Sequence, residues 1–146
     1  MKNIKKILYL VLLFSFASAS IYSQKIDDKS AVKASLNKIF ELSKSGNFKD
    51  AAKLFAYKGN NKTRLFESTF DYSKRTEKSQ VRRNCKKIKA YLDLSDSFEY
   101  DGFTTKKIDG ILNYILNVKF KSGNQSINIA FKFIKINGKF VLADFG

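Results

Sequence analysis

Cys85 is the one cysteine of this 146-residue chain, and Arg82, Lys86 and Lys89 close to it in sequence would favour its thiolate. It also falls between Val81 and Ile88 on an apolar stripe of helical spacing, and a buried, inert thiol outweighs a nucleophile there. The chain has no histidine, so Ser/His/Asp and Cys/His catalysis and His-containing zinc sites lie outside its chemistry. Asp93, Asp96, Glu99 and Asp101 are the acidic residues closest together, but they lack the glycine and terminal glutamate spacing of an EF-hand loop and read as solvated. There is no P-loop and no G-x-G-x-x-G run. Neither a metal nor a cofactor is expected, and these patterns single out no catalytic residue.

The other chemistry-bearing pattern is cationic. Arg75, Lys78, Arg82, Lys86 and Lys89 advance by three or four residues and line one side of a helix, with Arg83 and Lys87 beside them. Such a helix can lie along a polyanion, and an anionic cell-envelope polymer is the candidate. The formal charge of +15 is unevenly placed, with a net +11 in residues 24–92 and a net +1 in residues 93–146. Two observations weigh against a selected anion site. The basic residues are overwhelmingly Lys, whereas planar recognition of phosphate or carboxylate recruits Arg, and amphipathic helices ordinarily carry charge opposite their core stripe. No aromatic residues interleave with the stripe to stack on bases, so no nucleic acid is expected.

The N-terminus reads as a secretory signal peptide. Lys2, Lys5 and Lys6 precede an apolar run from Ile7 to Phe16, interrupted only by Ser15. Small residues then offer a cut after Ala19 or after Ser23, with Ser23 favoured. The run from Ile7 to Tyr22 is short of the about 20 residues a membrane span requires. The expected product is an exported domain, residues 24–146, periplasmic or secreted, with no membrane span. With a single cysteine it has no internal disulfide, and the lone cysteine lies far from the cut, where a lipid anchor would need one.

The elements that must position these residues follow from periodicity. Val32, Leu36, Ile39 and Phe40 lie on one helical face, with Gly46 suited to end that helix. Phe48, Ala51, Ala52 and Phe55 continue a second, short helix capped by Asn47, making a helical hairpin. Residues 57–72 read as loop plus a short element. Val81, Cys85, Ile88 and Leu92 define a third helix from about Thr76 to Asp93.

Beyond Asp96 the period becomes two. Phe98 and Tyr100 begin it weakly. Leu112, Tyr114, Leu116, Val118 and Phe120 form the apolar face of a long strand, and Ile127, Ile129, Phe131 and Phe133 that of the next. Asn137-Gly138 predicts a type I′ turn into a final strand over 139–145. The fold class is therefore α+β, with three N-terminal helices packed on a curved antiparallel sheet of about four strands.

This order of elements resembles the nuclear-transport-factor-like superfamily, the cone-shaped α+β group that includes ketosteroid isomerase and small exported bacterial proteins. The segments that carry the resemblance are GNFKDAAKLFA (Gly46 to Ala56), the third helix and the closing INGKFVLADFG (Ile136 to Gly146). It implies a sheet wrapped around the helices with a pocket between them in many members, and no particular activity. Isomerase-type members use a tyrosine and carboxylates inside the cone as acid and base. Tyr57, Tyr114 and Asp144 are the residues of this chain that could line such a pocket. A two-residue turn at Asn137-Gly138 pairs Ile134 with Val141, Phe133 with Leu142 and Phe131 with Asp144, which would put the Asp144 carboxylate on the apolar face. A wet position at the sheet edge near the C-terminus is the competing expectation for Asp144.

The sequence thus points to an exported, non-enzymatic module that binds a small apolar ligand or a partner protein. The alternatives are an enzyme using Tyr and Asp in a cone-shaped pocket, and an adaptor for anionic envelope polymers through the basic helix. Ile115, Ile134, Ile136 and Val141 make the second sheet face too apolar to be left to water. Its cover is expected from a partner, a homodimer mate or the chain's own segment near Leu65 to Phe70.

Overall fold

A computed structural model describes residues 28–146. The expected signal peptide lies outside the described residues. The chain divides into two units, Met1–Ala31 and Val32–Gly146. In the first, residues 28–31 are helical. The second holds everything that follows.

It opens on helix α1, residues 32–45, whose Val32, Leu36, Ile39 and Phe40 are buried as their spacing requires. Gly46, at φ +74°, lets Asn47 N–H return to the Leu42 carbonyl at 3.0 Å, a six-to-one closure of the helix end. The Asn47 side chain then accepts from Asp50 N–H, starting α2, Phe48–Ala52. The apolar period predicted the helix to run on to Phe55, but it stops at Ala52. Residues 54–56 are recruited instead to the edge of the sheet, where Ala56 N–H donates to the Leu142 carbonyl at 2.9 Å and Leu142 N–H to the Leu54 carbonyl at 2.8 Å. Two tertiary backbone bonds outweigh a weak local propensity. Helix α3, Arg75–Asp93, buries Val81, Cys85 and Ile88.

The strands β1 (Ser97–Ile108), β2 (Ile111–Ser122), β3 (Gln125–Ile136) and β4 (Lys139–Phe145) form an open antiparallel sheet in chain order. Helices first and antiparallel strands after make the class α+β. Asp109-Gly110 and Asn137-Gly138 both supply the paired positive φ of tight hairpins, +50° and +82° in the first and +49° and +75° in the second. One sheet face packs on the helices. Phe40 meets Phe131 at 5.7 Å and Phe120 at 6.1 Å between ring centroids, and Tyr91 of α3 stacks on Phe120 at 5.6 Å. Leu112 and Ile127, expected on this face, are about half exposed near their strand ends. β1 is mostly exposed along its length.

The second face carries its own apolar cluster of Ala56, Ile134, Ile136, Val141 and Ala143, with Phe66 and Ile111 packed against it. Of the three covers expected, the chain's own segment near Leu65 to Phe70 supplies one through Phe66. Phe66 reaches it from a left-handed backbone, φ +60°, a conformation that costs a bulky residue about 1 to 3 kcal/mol. Ile134 is left 2% exposed. Among the described residues no helix is long and apolar enough to cross a membrane.

Candidate functional site

The α3 helix presents three faces. Val81, Cys85 and Ile88 point into the core. One flank carries Arg75, Lys78, Arg82, Lys86 and Lys89, the stripe visible in the sequence. The opposite flank carries Gln80, Arg83, Asn84 and Lys87, and these four form one wall of a half-open cleft of about 330 Å³. The facing wall is the end of β4, Leu142 to Phe145, and the chain at Phe55, Ala56 and Lys58 completes it with Phe70. The 54–56 backbone bonds to Leu142 hold those two walls together.

The apolar part of the lining is rigid. Phe55 and Leu142 are buried. Phe145 stacks on Phe131 with 6° between ring planes, and the Lys87 ammonium lies 5.0 Å from its centroid. The polar part is unengaged: Gln80, Arg83, Asn84 and Lys87 make no side-chain hydrogen bond or ion pair among the described residues. That contrasts with the other flank. There Arg82 Nε donates to Tyr72 Oη at 3.1 Å, Lys78 lies over the Tyr72 ring, and Lys89 is paired with Asp93.

Asp144 lines this cleft, but by a different route from the one expected. Ile134 pairs with Val141 and Phe133 with Leu142, as the turn requires. A bulge then sets Ala143 as an extra residue, so that Asp144 pairs with Lys132 and Phe145 takes the place opposite Phe131. The expected Phe131–Asp144 pairing is thus overturned, and the carboxylate leaves the helix-packed face. It accepts from Lys58 at 3.1 Å and Lys132 at 3.5 Å. Partial burial works to raise its pKa, but the two lysines hold the carboxyl below its ordinary value. Asp144, Ala143 and Lys58 also line a second, smaller cleft of about 170 Å³ on the other face, with Phe66, Ile111 and Lys132.

Neither tyrosine joins Asp144 at these clefts. Tyr57 is buried edge-on to Phe70 with the Arg64 guanidinium 4.1 Å over its ring, and its hydroxyl accepts from Asn61 N–H at 3.2 Å. Gly59 approaches so closely that a Cβ there would lie 2.3 Å from the Tyr57 hydroxyl. Tyr114 is buried on the helix-packed face against Phe140. Tyr114 and Asp144 therefore stand on opposite faces of the sheet.

Sequence reasoning missed a buried ion pair. Arg64 donates from Nη1 and Nη2 to the two oxygens of Glu77 at 2.7 and 3.1 Å, from Nη2 to the Thr69 carbonyl and from Nε to Ser68 Oγ. Glu77 also accepts from Asp71 N–H at 2.6 Å, and its side chain is 7% exposed. The Arg64 hydrogen bonds, with help from Asp71 N–H and Lys74, hold the Glu77 carboxyl below its usual range against the opposing effect of burial. With four of its N–H donors engaged, the Arg64 guanidinium pins the 57–74 loop to the start of α3. Its only sequence signal was an acidic residue in the first turn of α3.

Cys85 is fully buried, and burial pushes its thiol up, opposed by the neighbouring Ser43 hydroxyl. It opens onto neither cleft. Ser43 Oγ itself is buried and makes no hydrogen bond of regular geometry. Comparison with protein-family models and with curated proteins finds no match for this chain.

Proposed function

We propose that this chain is an exported binding module that holds a small molecule in the cleft between α3 and the end of β4. One observation carries the reading: four polar side chains from a single helix flank line a concave site, and none of them makes a hydrogen bond or ion pair among the described residues. Polar groups set around a rigid apolar floor are the usual composition of a small-molecule site. Export is supported by the lysines and apolar run at the N-terminus. A nuclear-transport-factor-like layout, with three helices against a curved sheet, is supported by the order of elements alone. The pocket that likeness implies would lie between helices and sheet, where the rings of Phe40, Phe120 and Phe131 pack against one another. The ligand is therefore placed at the sheet edge, and it is not purely apolar. A role without catalysis fits the separation of Tyr57, Tyr114 and Asp144.

The test is amide NMR of the protein against a set of small aromatic and alicyclic compounds. Shifts concentrated on residues 80–87 and 142–145 are expected. Binding that maps elsewhere, or an unresponsive cleft across the set, would overturn the proposal.

A further inference from the structure

The charge in the cleft is not balanced. Its one carboxylate, Asp144, is already gripped by Lys58 and Lys132. Arg83 and Lys87 remain on the α3 wall with no carboxylate among the described residues paired to either. They stand four residues apart, a spacing at which like charges oppose helix formation. Both can only donate hydrogen bonds. A ligand that satisfies this wall must bring acceptors and negative charge. Opposite the wall the lining sets Leu142, Ala143 and Phe145 beside the Lys58–Asp144 pair, with Phe145 held flat against Phe131.

We infer that the cleft takes a small amphipathic anion, a carboxylate or sulfonate on an aromatic or alicyclic body, with the anion against Arg83 and Lys87 and the body against Phe145. This rests on the binding site proposed above and names its ligand class. The volume, about 330 Å³, is at the lower end for small-molecule sites and suits a body of one or two rings. Concavity and the apolar floor distinguish it from a groove that tracks an extended polyanion. Those features also separate it from the exposed stripe on the other flank of α3.

A matched pair of probes tests the inference: 1-anilinonaphthalene-8-sulfonate and its uncharged parent, N-phenyl-1-naphthylamine, each titrated by fluorescence into the protein. The sulfonate is expected to bind about tenfold tighter, as a charge-assisted hydrogen bond allows. Arg83→Gln together with Lys87→Gln should erase that advantage and leave the parent's affinity within about twofold. Phe145→Ala should weaken both probes. Because Phe145 also packs on Phe131, Gln80→Trp, which fills the cleft from its α3 wall, serves as a second variant. Near-ultraviolet circular dichroism checks that each variant is folded. If the two probes bind equally and both respond to Gln80→Trp, the cleft is a binding site and the anion inference is wrong. If neither probe responds to any cleft substitution, the binding site itself is wrong. Sulfonate binding lost instead in Arg75→Gln with Lys86→Gln would move anion recognition to the exposed stripe and overturn the inference.

Discussion

The two flanks of α3 differ in a way their composition conceals. The flank with Arg75, Lys78, Arg82, Lys86 and Lys89 has more charge and the more regular spacing, yet Arg82 is spent on a hydrogen bond to Tyr72 and Lys89 on an ion pair with Asp93. The flank with Gln80, Arg83, Asn84 and Lys87 has two cations against five and faces a concave wall built from residues some 60 positions away in the chain. Charge density reports a solvated helix face, whereas a site needs groups whose partners are missing and a surface that can exclude water behind them. The difference lies in tertiary structure, in what stands opposite each flank.

The substitution expected to break this comparison hardest is Ile134→Lys, because only the cleft flank depends on the β4 wall that Ile134 supports from beneath. Burying an ammonium among Val141, Ala143 and Phe66 should cost about 4 kcal/mol. Urea denaturation should show this as a large fall in midpoint, and an unchanged midpoint would mean that the second face is open. Next is Arg64→Ala, which strips Glu77 of its forked partner and loosens the start of α3 for both flanks alike. A loss of about 3 kcal/mol is expected by the same measurement. A loss under about 0.5 kcal/mol would place the pair among ordinary surface ion pairs.

Glu77 also sets a pH dependence. Its folded pKa lies below the unfolded value, so its contribution is complete above the unfolded value of about 4.3 and is lost as pH falls through the folded pKa. Urea midpoints should hold down to about pH 5 and then drop, more steeply in the native protein than in Glu77→Gln. Equal slopes in the two proteins would assign acid sensitivity to other carboxylates. A smaller effect is expected at Ser43, whose buried hydroxyl lacks a hydrogen bond. Ser43→Ala should be neutral or stabilise by up to about 1 kcal/mol in the same denaturation series. A clear loss would show that the hydroxyl has a partner, with the Cys85 sulfur the nearest candidate.

Much of the fold is legible in the sequence because it is local. The Asn47 cap, the Gly46 reversal, the Asn137-Gly138 turn and the core stripes of α1 and α3 each follow from residues within one or two turns of one another. Asp109-Gly110 carries as strong a hairpin signal, but β1 beyond it is polar and exposed, so no alternation announced a 12-residue strand. The site was legible only in pieces. Arg83 and Lys87 stood out merely as neighbours of the stripe. Asp144 was displaced by one residue because the bulge at Ala143 leaves no mark on an apolar run of Val141, Leu142 and Ala143. Phe55 kept helical spacing with Ala51 and Ala52, and only the free edge of β4, distant in the chain, explains why it left the helix.

The strap across β4 has a kinetic corollary. The hairpins β1–β2, β2–β3 and β3–β4 each close through two or so residues, while Lys58 and Asp144 meet across a separation of 86. Loop-closure entropy makes contacts of that span slow to form and costly until the rest of the chain is in place. The cleft, like the longer-span contact of Ser35 with Phe140, should accordingly assemble later than the hairpins and open before them. In native-state hydrogen exchange the amides of Ala56 and Leu142 are expected to exchange through a smaller opening than those in the middle of β2. A ligand bound there would then act as a late clasp, slowing the escape of the chain from its native state by holding closed a loop of 86 residues.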